Sequence, residues 1–195
     1  MSESTFDPAQ ALKIDLSRGQ LSLMGSSGRV LVPTESLAEL LAASTNEAIS
    51  AFGAGIGTDI GRRILERLGS AIERATIELY LEHLGGELAL SGLGSLSVER
   101  WGKALVLCLE GLGDSAGLES MVMSLIEAAI QRSLSRDVVV LRLAKTDGLL
   151  RLIVSGRHAK FQIEQWQAAG LSYGQILTNL HQNPLVEASS TRGES

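Results

Sequence analysis

The sequence has one cysteine, Cys108, in 195 residues. A single cysteine cannot close an internal disulfide, which suits a reducing compartment and rules out a disulfide scaffold. Cys108 sits in the apolar run Ala104-Leu105-Val106-Leu107-Cys108-Leu109. That run offers none of the electropositive, open surroundings a reactive thiolate needs, so a buried, inert thiol is expected. Histidine is nearly as scarce. His83, His158 and His181 lie in separate segments, with no pair four residues apart. A zinc site needs three or four converging ligands, and none is expected here. Aromatic residues make up 4% of the chain, too few for a base-stacking platform.

Charge of one sign is never concentrated. The 17 Lys and Arg are scattered among 22 Asp and Glu, giving a net charge of −5 and no basic stripe. Nucleic acid is therefore not an expected partner. Nor does any apolar stretch reach the ~18 residues that a transmembrane helix needs. The longest candidate, Met121 to Ile130, is interrupted by Ser124 and Glu127. The polar first eight residues lack the basic and apolar regions of a signal peptide, so a cytoplasmic location is expected.

Catalytic motifs are missing too. Glycines at 53, 55, 57 and 61 invite comparison with phosphate-binding loops, but no Gly-Lys-Ser/Thr follows them. The dinucleotide spacing Gly-x-Gly-x-x-Gly is absent, and a helical pattern rather than a strand precedes the glycines. No Gly-x-Ser-x-Gly elbow occurs. Glu66, Glu73, Glu78 and Glu82 read as solvated helix faces. Glu127, between Ile126 and Ala128, either lies on an exposed stripe or is buried and needs a partner such as Arg132 or Arg136. No catalytic residue, metal or cofactor is expected.

What the chain does contain is a 45% hydrophobic composition over a length suited to one domain. Residues 1–10 read as a flexible lead-in and 185–195 as a disordered tail, leaving one domain over 11–184. Short alternating segments at Leu12–Leu16, Gln20–Met24 and Gly28–Val32 predict an N-terminal hairpin or meander. Thr34 reads as the N-cap of a helical region with a break near Ser44-Thr45-Asn46. A further helix through Leu79 and His83 is expected to stop at Gly85-Gly86, with strand-like residues from Glu87 to Leu90 after it. Strands at Ser95–Val98 and Ala104–Leu109 precede a long helix over Leu118–Leu134. A hairpin then joins Val138–Leu143 to Leu149–Val154 through Thr146-Asp147-Gly148. Helices at Ala159–Ala168 and Tyr173–Leu180 close the chain. The fold class expected is α+β, with helices packed on one antiparallel sheet.

Gly53, Gly57 and Gly61 recur every four residues and so share one helix face. Each glycine costs about 1 kcal/mol of helix propensity relative to alanine. Three on one face predict close packing of another element, within the fold or across a dimer. A ligand site lined by backbone is the alternative.

Three stretches resemble a known family. They are the glycine-spaced helix around Ala51–Gly61, the segment Gly92-Leu-Gly-Ser-Leu-Ser-Val98 with Leu105–Leu109, and the helix Leu118–Leu134 running into Arg136–Val140 and Leu150–Val154. Their order is similar to that of the 4-vinyl reductase-like domain, whose fold is shared by small subunits of the TRAPP tethering complex. The match covers about two thirds of the chain. Bacterial members often carry cysteines near the last hairpin, some as metal ligands; this hairpin has none, so no zinc site is carried over. The resemblance implies a homodimer formed through helices. It also implies an apolar pocket for a small apolar ligand, or a surface for a protein partner. Candidate pocket residues are Met121, Leu125 and Val140. The leading functional reading is a non-catalytic dimeric adaptor or ligand-sensing domain. A purely structural assembly component and a small-molecule enzyme are the alternatives.

Overall fold

A computed structural model describes residues 12–23, 26–69, 72, 76–101 and 104–182. The expected lead-in and tail lie outside them. The alternating N-terminal segments form an antiparallel meander of β1 (Leu12–Asp15), β2 (Gln20–Leu23) and β3 (Ser26–Arg29). Leu12 pairs with Leu23, and Ile14 with Leu21. The turn between β1 and β2 is held by Asp15, whose Oδ1 accepts from the Ser17 and Arg18 N–H groups. The third strand ends at Arg29, earlier than the alternation suggested, and Val30, Leu31 and Val32 leave the ladder exposed.

Two helices follow, α1 (Thr34–Ala42) and α2 (Asn46–Leu68), separated at the expected place. Thr34 is the first helical residue of α1 rather than its cap, which is Pro33. Thr45 caps α2 by accepting from the Ala48 N–H. The helix α3 (Ile77–Leu90) does not stop at Gly85-Gly86, and Glu87–Leu90 is its last turn rather than a strand. Its stop lies at Gly92, with φ +70°. There the Leu93 N–H donates to the Leu88 carbonyl and the Gly92 N–H to the Ala89 carbonyl, the paired bonds of a Schellman cap. Buried Leu93 supplies the apolar contact that accompanies that cap.

The second half builds the main sheet. Its strands are β4 (Ser95–Trp101), β5 (Ala104–Glu110), β6 (Val139–Thr146) and β7 (Leu149–Ser155), with the long helix α4 (Ala116–Leu134) between β5 and β6. The order is β4-β5-β7-β6, antiparallel throughout. Asp147 and Gly148 both take positive φ between β6 and β7, the geometry of a tight two-residue hairpin turn. The chain ends in α5 (Arg157–Ala168) and α6 (Tyr173–Gln182).

These elements make three layers. One face of the sheet, with Leu107, Leu109, Leu150 and Leu152, packs into a core shared with α2, α3 and α4. The other face, with Val106, Cys108 and Ile153, is covered by Ile163 of α5 and by Ile176 and Leu177 of α6. Burial on both faces explains why β5 reads as an unbroken apolar run instead of an alternation. The fold is α+β, with helices packed on an antiparallel sheet.

Candidate functional site

The glycine row of α2 lies against α4 of the same chain. A Cβ built on Gly53 would sit 2.3 Å from the Met121 carbonyl oxygen, on Gly57 2.0 Å from that of Leu125, and on Gly61 2.5 Å from that of Ala129. Each step of four residues on α2 matches a step of four on α4, so the two helices run parallel with their backbones in contact. Gly55, on another face, has open space where a Cβ would be. Close approach of this kind allows Cα–H to carbonyl contacts and dense packing along the seam.

Met121, Leu125 and Val140 belong to one hydrophobic cluster. Met121 and Leu125 are fully buried on α4, and Val140 of β6 is 4% exposed. Glu127, one turn along α4 from Met123, is half-buried. Its partner is neither Arg132 nor Arg136. Its Oε1 accepts from the Val140 N–H at 2.6 Å and so satisfies a donor on edge strand β6.

The polar groups inside the helical layer were not foreseen from sequence. Arg63 of α2 is 3% exposed, while Glu87 and His83 of α3 are fully buried. Arg63 donates to Glu87 through Nη2 at 2.7 Å and Nε at 3.2 Å, and also to Asp59. Arg67 donates to Glu87 Oε1 at 3.0 Å and contacts His83 Nδ1 at 2.7 Å. Arginine can only donate, so Nδ1 accepts, and a neutral His83 ring carries its proton on Nε2. Asp59 also takes Arg62 at 2.6 Å and Arg29 of β3, which ties the meander to α2. Burial opposes ionisation of Asp59, but the hydrogen bonds from Arg62 and Arg29 and the charge of Arg63 outweigh it and hold its pKa at about 2. A second polar pair joins α3 to α4: Ser133 Oγ hydrogen-bonds the Tyr80 hydroxyl at 2.9 Å and the Ala129 carbonyl at 2.7 Å. Burial pushes the Tyr80 phenol up to about 12, with the Ser133 bond acting in the opposite direction.

A signal for this cluster existed. Tyr80, His83, Leu84, Glu87 and Leu88 occupy one helical stripe, so His83 and Glu87 fall on a core-facing face once α3 is continued past Gly86.

An open cleft of about 580 Å³ lies elsewhere, where the loop after β5 meets the β6–β7 turn; Gly111, Gly113, Asp114, Lys145, Asp147 and Gly148 line it. Lys145 is already engaged there, donating to Asp114 at 2.6 Å, Glu119 at 2.8 Å and the Gly113 carbonyl at 3.1 Å. Buried Glu119 also receives Arg142, so the cleft wall acts as a clamp between α4 and β6. Among the described residues no three His, Cys, Asp or Glu side chains gather as a metal site would require. The Cys108 thiol is pushed up to about 11 by burial, with the neighbouring Glu99 adding to the effect. In the described residues no helix is long and apolar enough to cross a membrane.

No family model and no curated protein matches the chain. Solved structures do match. One is the crystal structure of the phenol-responsive sensory domain of the transcription activator PoxR with phenol, at a TM-score of 0.56 and 14% identity. The superposition covers 90% of this chain and 94% of that one. At that identity the likeness is one of fold: the whole helix–sheet–helix arrangement is similar to that of a sensory domain.

Proposed function

We propose that the chain is a homodimeric, ligand-sensing domain of the 4-vinyl reductase-like kind, which takes a small apolar molecule between α4 and the sheet. The observation that carries this reading is the fold, common to nearly the full length of both this chain and a sensory domain solved with phenol. The chemistry of the core supports it. Small-molecule sites are mostly apolar, with a few fixed polar groups that set orientation. Met121, Leu125 and Val140 are the lining we assign, and the Tyr80–Ser133 pair and His83 are polar groups held in the same helical layer. A molecule with a ring and one hydroxyl would suit such a site, because a buried hydroxyl needs a partner. Met121 suits the role as well, since an unbranched thioether side chain repacks around an entering guest.

The test is a thermal-shift and calorimetric titration of the purified chain with phenol, toluene and a medium-chain fatty acid, alongside native mass spectrometry for any copurified ligand. Ligand binding to the folded state raises the melting temperature in proportion to ln(1 + [L]/Kd). Phenol or toluene is expected to raise it, and Tyr80→Phe to narrow the gap between the two. A bare chain in native spectra, with no shift from any of the three, would remove this reading.

A further inference from the structure

The exposed apolar residues of this molecule are concentrated near its start. Of the twelve large hydrophobics that are exposed among the described residues, eight fall between Leu12 and Phe52. Leu16, Val30 and Leu31 are each more than 80% exposed, and Ile14 and Leu40 about 60%. Scattered apolar residues are ordinary, but Leu12, Ile14 and Leu16 alternate with Lys13 and Asp15 and so share one side of an exposed strand, a place that another molecule can cover.

The meander carries three of them, Leu12, Ile14 and Leu16, and draws little support from its own chain. Its strands have four residues each, and all four residues of β1 are exposed. Leu23 of β2 is buried, but strands this short with so little cover are marginal in water. The strand order also leaves β1 at an edge, its outer N–H and C=O groups without a strand partner among the described residues. Natural edges are usually blunted by charge, proline or a bulge. β1 is short and carries Lys13 and Asp15, but these charges are of opposite sign, and the strand pairs with β2 without a bulge and contains no proline.

The segment is self-complementary. Leu12-Lys13-Ile14-Asp15-Leu16 reads the same in both directions, except that opposite charges exchange places. We infer that β1 pairs antiparallel with β1 of a second copy, about a twofold axis at Ile14. Ile14 then faces its own counterpart, Lys13 faces Asp15 twice over, and Leu12 faces Leu16, the turn residue that follows β1. The two meanders become one six-stranded sheet with both central edges satisfied. A twofold axis demands this self-matching of one patch, which an unrelated partner would not. The inference rests on the homodimer reading and names its surface.

The experiment is sedimentation equilibrium on the intact chain, with circular dichroism as a check on folding. Wild type is expected to be dimeric; a monomer would remove both the dimer and this interface. Lys13→Glu and Asp15→Lys each set like charges opposite one another at two symmetry-related positions; Asp15→Lys also removes the acceptor that holds the β1–β2 turn, so its circular dichroism is compared with wild type first. Each is expected to raise the dimer dissociation constant about tenfold or more. Mixed one to one, the two variants should pair as tightly as wild type, because each then meets opposite charge at both positions. Single variants that dimerise normally, or a mixture that stays apart, would overturn the β1 pairing while leaving a dimer elsewhere intact. An Ile14→Cys chain gives an independent reading. Under mild oxidation it should form a covalent dimer, since the closer cross-strand Cβ pairs, about 4.5 Å apart, are within reach of a disulfide. A chain that stays uncrosslinked also overturns the proposal.

Discussion

A methyl group is a small addition, yet at Gly57 it has nowhere to go. The atom would overlap the Leu125 main chain, which cannot rotate aside as a side-chain tip can. Gly57→Ala is expected to destabilise by about 1–3 kcal/mol even after its gain in helix propensity, lowering the melting temperature by roughly 2–10 °C. Gly55→Ala, on the same helix but facing open space, is expected to raise stability by up to about 1 kcal/mol. Calorimetry on the pair isolates the packing from the propensity, and equal behaviour of the two would refute the packing account. Asp59 sets a second prediction. Its carboxylate is favoured in the folded state, with a pKa near 2 against 3.8 for a free side chain. The stability it contributes is present above about pH 4 and is lost as the pH falls towards 2. Urea midpoints measured across that window should fall less steeply in Asp59→Asn than in wild type. The repeated glycines were visible in the sequence because a spacing of four maps directly onto a helix face. The buried carboxylate Glu87 is hidden in the sequence because Gly85-Gly86, just before it, has the composition of a helix stop.

That glycine pair shows how an element is terminated. A glycine ends a helix when the chain needs positive φ and the following residue can dock, not by its presence alone. Gly85 and Gly86 keep right-handed helical backbone, and a Cβ on Gly85 would meet that of Leu96 at 3.3 Å. There the missing side chain lets β4 approach α3. Gly92 has the positive φ, and Leu93 the buried side chain, so the helix ends there. The strands were easier to read. The turn residues Asp147-Gly148 and the unbroken apolar run of β5 locate the hairpin and the sheet centre without tertiary information. What a linear pattern cannot carry is which residues from distant segments share a charge. The Arg29–Asp59 and Arg63–Glu87 pairs, 30 and 24 residues apart, depend on the fold itself.

For the whole molecule, the third layer decides whether the sheet survives. Val106, Leu143 and Ile153 are buried beneath α5 and α6. Removing both helices by truncation after Ser155 would turn that sheet face into an exposed apolar surface of the kind that drives association. The truncated chain is expected to be recovered mainly as aggregate, or to bind a hydrophobic dye strongly where the intact chain does not. A soluble, dye-silent fragment would mean that the helices are ornament rather than cover. The sequence indicated both helices but not their side of the sheet, because each is apolar on one stripe and either face could have received it.

The seam between α2 and α4 has a mechanical corollary. Two cylinders touching backbone to backbone leave no pliant side chains between them to take up a small shift, so they travel as a single strut. Asp59 projects from that strut to Arg29 in the meander. A shift of α4 would therefore carry α2 with it, and the strand assembly near the chain's start is joined to that strut through the Asp59–Arg29 ion pair.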